Sequence, residues 1–447
     1  MILNNVRIFL NKGSYRSSQV KKNILASIFI KGLSIIISLL YVPITLNYLN
    51  PTRYGLWMTL TSIVAWMGIF DIGLGNGLRN KLAEALALGE KEKAKKYVST
   101  AYAILSIIVI SILILFLIAN HWINWSAALN TAESYRSELK ILSIVIVVLF
   151  GFKFVLNIIS TVFTADQKPA IGSIFEVFGS ILGLIIIYIL TLTNRTSLIA
   201  FGLAAMLTPV IVYLVVSIYF YKNKYYYLKP SWKSIELSYA KDLTGLGIKF
   251  FVIQIAALII FQTSNILISQ FFSPAEVTPY NISFKYFGVL TMLWGIILAP
   301  IWSAFTQAKT LNDIIWVKKT ISRLNKLMIP TILLLVLMSF GARYVISIWT
   351  KGMVIISIPM IIFFAIYSFI SIWNNIYAFF LNGIGKTRIQ IFTSIIASLI
   401  HIPLAYILVK HFHYGSEGIV FSMTISLLFF AIAGPVQTYK ILKDWKN

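Results

Sequence analysis

The chain has 447 residues, of which 59% are hydrophobic and 12% charged, with a mean hydropathy of +0.85. Soluble domains lie near about 45–50% apolar and about 25% charged, so one water-solvated globule is excluded and a bundle solvated by lipid is expected. The net charge of +24 raises nucleic acid as a partner, and the lack of cysteine removes disulfide and thiolate chemistry.

In chain order, residues 1–22 carry Arg7, Lys12, Arg16, Lys21 and Lys22 and no apolar core of a cleaved leader. The first hydrophobic segment is therefore expected to stay in place. Twelve stretches read as membrane helices: 23–47, 54–78, 97–119, 141–164, 170–191, 197–220, 245–270, 279–304, 327–347, 354–381, 389–409 and 416–439. Most Lys and Arg fall on alternate loops: 1–22, 79–96, Lys168, 222–249, 309–326, 386–388 and the tail from Lys440. The intervening loops hold only Arg53, Arg136, Lys140, Arg195, Arg343, Lys351 and Lys410. Cationic loops are retained in the cytoplasm, so this bias places both termini there. It also accounts for the charge and excludes nucleic acid as the partner.

Residues 54–80, YGLWMTLTSIVAWMGIFDIGLGNGLRN, are long enough to cross a bilayer yet carry Asp71, followed by Gly73, Gly75 and Gly77 on alternate positions. An intramembrane acid costs ~2.5–3.5 kcal/mol on insertion scales, so it should face the bundle interior or a partner. The glycines are tolerated only where neighbouring helices or a cavity resatisfy the backbone. This stretch reads as part of an internal pathway.

Other ionisable residues stand inside segments. At ~1.5 Å per residue, Lys31 lies ~12 Å and Asp71 ~10 Å from the cytoplasmic ends of neighbouring segments, so the two are expected to pair. Lys153 sits near the midplane and Glu176 nearer the cytoplasm, as its partner or as a separate titratable carrier. Lys285 is close enough to the outer end to snorkel. His401 reads as an interhelical hydrogen-bonding residue. Pro43, Pro209, Pro300, Pro359, Pro403 and Pro435 are expected to kink their helices.

The sequence also repeats itself. Leu49-Asn50-Pro51 follows the first segment as Phe272-Ser273-Pro274 follows the seventh, and the turn Asp166-Gln167-Lys168-Pro169 corresponds to Gly383-Ile384-Gly385-Lys386. Two six-helix lobes in the same orientation follow: residues 1–220 with the N-terminus, and 248–447 with the tail, joined by a cytoplasmic linker over 221–247. Parallel repeats of this kind place a substrate site between the halves.

Tyr54-Gly55-Leu56-Trp57 and Phe70-Asp71-Ile72-Gly73-Leu74-Gly75-Asn76, with Tyr280-Asn281-Ile282 and Pro300-Ile301-Trp302-Ser303-Ala304, resemble the second- and eighth-helix signatures of bacterial Wzx-type flippases for O-antigen and capsule units. These belong to the multidrug/oligosaccharidyl-lipid/polysaccharide exporter superfamily. The resemblance implies an all-α, two-lobed, V-shaped bundle of about twelve helices in the bacterial inner membrane. It further implies transfer of an undecaprenyl-pyrophosphate-linked oligosaccharide between leaflets, with membrane lipid and the pathway's polymerase and chain-length regulator as partners. A pyrophosphate substrate calls for a cationic lumen, for which Lys153, Lys31, Lys285 and the neighbouring Asn157 are the candidates, with Asp71 and Glu176 for gating or ion coupling. No cofactor, metal or catalytic residue is expected. Gly385-Lys386-Thr387 resembles the end of a phosphate loop, but Phe380 stands where that loop needs glycine. A drug/cation antiporter of the same superfamily is the first alternative. A polytopic polymerase or glycosyltransferase is the second, and the short outer loop around 120–140 disfavours it.

Overall fold

The computed structural model describes residues 15–71, 74–193, 196–244 and 248–445; Arg7, Lys12, Gly73 and Arg195 lie outside the described residues. Within them the protein is all helix and turn. Among the described residues eleven helical runs are long and apolar enough to cross a membrane. The first, α1 (Tyr15–Ala65), contains two crossings, because Asn50 at φ 63° breaks it. Asn50 Oδ1 accepts the Arg53 N–H at 3.0 Å, capping a new helical stretch that opens on Pro51, a residue suited to the first helical position. Twelve crossings result, as the sequence implies.

A 3-10 turn over Trp66–Asp71 leads towards α2 (Leu74–Ala87), then come α3 (Lys91–Trp122), the short α4 (Trp125–Ala128), α5 (Arg136–Leu156), α6 (Ile158–Ala165), α7 (Pro169–Thr191) and α8 (Leu198–Lys222). A connecting segment with α9 (Ser238–Thr244) precedes α10 (Ile248–Phe271), α11 (Pro274–Thr310), α12 (Ile314–Trp349), α13 (Ile358–Gly383), α14 (Arg388–Lys410) and α15 (Glu417–Asp444). Two expected straight helices are therefore interrupted. The 54–78 segment tightens into 3-10 at Trp66, where glycine and an acid weaken the α-helical register, and the 141–164 segment breaks at Asn157. Pro359 is in the first turn of α13 and kinks nothing, whereas Pro43, Pro209, Pro300, Pro403 and Pro435 stand inside helices.

Packing gathers the elements into two groups. In the first, α1 lies on α7, α5 on α8, α7 on α8, and α2 on α3 and α6; in the second, α14 lies on α15, α13 on α11 and α15, and α10 on α14. The groups meet where α1 packs on α10 and α11, burying Val42, Leu46 and Tyr54 among apolar residues of the second group. The repeat is visible at this junction. Thr278 Oγ1 donates to the Pro51 carbonyl at 2.6 Å, and a Cβ on Gly55 would stand 1.7 Å from the Pro274 carbonyl oxygen. The offset that carries Pro51 to Pro274 also carries Gly55 to Thr278, so the two contacts are images of each other. Likewise Gln167 (φ 58°) and Gly385 (φ 74°) are the left-handed residues of the two corresponding turns.

The described part of the expected linker, residues 221–244, lies as a strap on the first group. Glu236 takes Lys96 Nζ at 2.8 Å and exchanges hydrogen bonds with Thr100, while the Ser231 N–H donates to Ser99 Oγ. Tyr97 stacks edge-on against Tyr239 at 4.7 Å and donates to Asp242.

Candidate functional site

The side of the molecule bearing α4 is here the loop face, and the side bearing the strap is the linker face. Among the described residues, hydrogen bonds between the two helical groups all lie in the loop-face half. Asn130 Nδ2 donates to the carbonyls of Ser269 and Phe272 at 3.2 and 3.1 Å, and Ser269 Oγ donates to the Leu129 carbonyl at 2.7 Å. Gln270 Nε2 reaches the carbonyls of Ala127 and Ala128, and Trp349 Nε1 reaches that of Leu39. Deeper, a buried relay runs from Asn281 Nδ2 to Asn265 Oδ1 (2.8 Å), and from Asn265 Nδ2 to Ser62 Oγ (2.6 Å). A polar group without water must find such a partner or cost ~1–3 kcal/mol, so these bonds hold the groups in one register.

Towards the linker face from this seal, a cavity of about 220 Å³ lies between the first group and α10, with Asp71, Asn157, Thr161 and Gln254 as its polar lining. Asp71 ends the 3-10 turn, and its Oδ1 accepts the Gly75 N–H at 3.0 Å. The carboxylate thereby satisfies one of the unpaired donors at the start of α2 and sits at the positive end of that helix's dipole. That supplies a local structural reason for an acid inside the bundle. Asn157 comes to the same cavity through the break between α5 and α6, where its N–H is shared by the Lys153 and Val155 carbonyls.

The other sequence candidates are not brought together there. Lys31 and Glu176 are exposed, Lys153 and Lys285 half-buried, and none lines the cavity. The expected Lys31–Asp71 ion pair is not formed: no contact within 4 Å links them, because Asp71 is turned to its own helix start. Nor does Glu176 pair with Lys153. Lys153 and the neighbouring Asn157 are divided by the helix break, which leaves Phe154 and Asn157 towards the cavity. Sequence reasoning missed Thr161 and Gln254, since a search for charge passes over neutral polar residues. His401 is fully buried between Ser422 (2.7 Å to Nδ1) and Ser264 (3.4 Å to Nε2), an interhelical joint as expected.

One carboxylate among two amides and a hydroxyl accepts hydrogen bonds from sugar hydroxyls or neutralises a cation. It offers no positive charge to a phosphate. Among the described residues no group of His, Asp or Glu has metal-binding geometry.

Residues 20–305 match the family model described as polysaccharide biosynthesis protein. The chain is 24% identical over 417 residues to a Salmonella typhi protein named as an O-antigen transporter, covering 90% of each. It is 24% identical to a Yersinia pseudotuberculosis protein named as an O-antigen export protein, covering 79% of this chain and 81% of that one. Among solved structures, an inward-facing multidrug resistance transporter of the MATE family, in the MOP superfamily, superposes with a TM-score of 0.72 at 16% identity, over 94% of this chain and 95% of the other. At that identity the likeness establishes the fold.

Proposed function

We propose that this chain, which belongs to the polysaccharide biosynthesis protein family, exports a lipid-linked polysaccharide unit across the bacterial inner membrane by alternating access. Relatives named as O-antigen transporters support the substrate class. The observation that carries the mechanism is one-sidedness: the helical groups are hydrogen-bonded to each other at the loop face, while a polar cavity lies beneath that seal. Such an arrangement is one of the two states that a rocking pair of lobes must visit. We take the lobes as residues 1–220 and 248–447, joined by 221–247. The charge bias of the loops supports cytoplasmic termini, which makes the linker face cytoplasmic and the state inward-facing.

The finer reading is that an undecaprenyl-pyrophosphate-linked oligosaccharide moves from the cytoplasmic to the outer leaflet. In this reading Asp71, Asn157, Thr161 and Gln254 contact sugar hydroxyls, and Lys153, Lys31 and Lys285 meet the anionic headgroup from outside the small cavity. Glu176 stays a candidate for ion coupling, and the pathway's polymerase and chain-length regulator are the partners proposed. The test is complementation of a flippase-deficient strain, scored by surface glycan. Lys153→Ala should impair display at unchanged protein abundance, and Lys153→Arg should keep part of it; parental display in Lys153→Ala would remove this lysine from the substrate path. A second reading, cation antiport, is favoured by one observation: the cavity holds a carboxylate and no cation. Drug efflux without glycan rescue by any compatible pathway would select it.

A further inference from the structure

The second helical group carries a separate cleft of about 560 Å³ between the linker-face ends of α12 and α15. Lys318, Ser322 and Lys326 line it from α12, and Tyr439 and Lys443 from α15, over a floor that includes Ile321 and Leu442. Among the described residues the three lysines make no ion pair. The nearby acids do not neutralise them: Asp313 is spent on the Trp316 N–H at 2.9 Å, and Asp444 is exposed beside Lys443 without bridging to any of the three. Neither the Ser322 nor the Tyr439 hydroxyl has a hydrogen-bond partner among the described residues. Asn325, by contrast, is already tied to Tyr377.

Depth decides what such a cleft receives. Lys326 directly precedes the apolar run 327–347, and Tyr439 stands at the end of the apolar run 416–439, so both mark the membrane–water boundary. The two helices run antiparallel, which puts Lys318 and Lys443 on the water side. On the bilayer side the same face of α12 continues as Ile329, Leu333, Leu337, Phe340 and Tyr344, at helical spacing and all exposed. A basic cup at headgroup depth that opens onto an apolar stripe matches one molecule with a phosphate at one end and an acyl chain at the other.

We infer that the α12–α15 cleft binds the phosphate headgroup of an anionic membrane lipid, whose chain lies along the exposed stripe of α12. The chemistry shared with free phosphate is attraction of phosphate oxygens by clustered ammonium groups; the stripe favours the lipid as its source. This inference does not rest on the export reading, since none of these residues lines the cavity at Asp71.

The experiment reconstitutes the purified full chain in phosphatidylcholine nanodiscs with and without phosphatidylglycerol, then measures retained lipid by native mass spectrometry and thermal stability. The parent should retain phosphatidylglycerol and gain stability from it. With ~1 kcal/mol per lysine at a membrane surface, replacing Lys318, Lys326 and Lys443 together by Gln should weaken retention on the order of 100-fold. Each single Lys→Gln change should cost about fivefold, which keeps the test open if the triple variant misfolds. The triple Lys→Arg variant should retain the lipid, and Lys319→Gln, outside the cleft, should behave as the parent. Equal retention by the Gln variants overturns the site. Protection of the parent by inorganic pyrophosphate as effective as that by phosphatidylglycerol overturns the lipid as its occupant.

Discussion

The loop face and the linker face are closed by different things. At the loop face the two helical groups bond directly to each other, through Asn130, Ser269, Gln270 and Thr278, with the Ser62–Asn265–Asn281 relay beneath. At the linker face the hydrogen bonds stay within each group: in the first the strap lies on α2 and α3, and Asp166 collects Lys168, Lys224 and Tyr225, and in the second Lys309 holds the Ile384 carbonyl and Trp445 the Asn312 side chain. Each face also has a glycine whose added Cβ would stand less than 2 Å from a backbone carbonyl oxygen. Gly55 meets Pro274 across the groups, and Gly77 meets Leu243 of the strap within one of them. A molecule built this way can open the linker face with its own lobes intact, but it must break an interface to open the loop face.

The largest expected effect comes from preventing that break. The chain lacks cysteine, so Asn130→Cys with Gln270→Cys gives a clean pair on either side of the loop-face seal. A short bifunctional thiol reagent should crosslink it readily and stop export almost completely, with recovery on reduction if the reagent is cleavable. Export continuing at the parental rate in fully crosslinked protein would show that the seal is static and that the path lies elsewhere.

Next come the two glycines. Overpacking typically costs about 1–3 kcal/mol, and a Cβ 1.7 Å from a carbonyl oxygen belongs at or above the top of that range. Gly55→Val should therefore lower folded yield and thermal stability strongly, and leave survivors with an accessible loop-face cleft. Gly77→Val makes a contact almost as short, at 1.8 Å, but against a seven-residue helix of the same group, away from the junction between the groups. It should cost less and leave loop-face crosslinking unchanged. Equal losses in the two variants would remove the distinction between the faces.

The contrast between faces was only partly readable from the residues. Hydrophobic runs, charge alternation and the paired proline loops carry the twelve crossings and the repeat, because lipid permits little besides helices and the positive-inside bias is strong. The signature Tyr54-Gly55 and Asn281 fall on the seal, so short motifs pointed to the right helices without saying what they touch. The site was read less well. Asp71 and Asn157 do share a cavity, but Lys31–Asp71 pairing failed because a helix start competes for the carboxylate. Thr161 and Gln254 escaped notice because neutral residues leave no mark in a charge count. That residues 221–244 of the linker lie as a strap depends on Tyr97, Ser99 and Thr100, distant in sequence and ordinary in type.

A smaller effect is expected from the relay. Asn265→Leu keeps volume and removes both relay bonds, leaving Ser62 Oγ on the Met58 carbonyl and Asn281 Nδ2 on the Val277 carbonyl. Intramembrane hydrogen bonds average ~0.6 kcal/mol, so a loss of about that size for each relay bond is expected in chemical unfolding. Ser62→Ala paired with it in a double-mutant cycle should show coupling. Additive losses would mean that the relay does not join the groups.

The smallest expected effect belongs to the linker face. Partial burial works against the Asp166 charge, but hydrogen bonds from Lys168, Tyr225 and Lys224 outweigh it and hold the carboxyl below its usual range. A group whose folded value lies below its unfolded one stabilises the fold in full above the unfolded value, about 3.9 for aspartate. That contribution fades as pH falls through the lower folded value. The cluster is partly open to solvent, so the amount should stay within about 1 kcal/mol. Asp166→Asn should thus melt slightly lower than the parent near neutral pH and converge on it as the medium is acidified below about pH 4. With 14 Asp and Glu in the whole chain, few other carboxylates obscure the difference. Because the cluster joins the α6–α7 turn to the end of α8 inside one group, the variant should leave crosslinking between Asn130→Cys and Gln270→Cys untouched. A gap between variant and parent that stays constant down to pH 2 would show that shape, not charge, holds this turn; altered crosslinking would show that the linker face reports to the loop face through it.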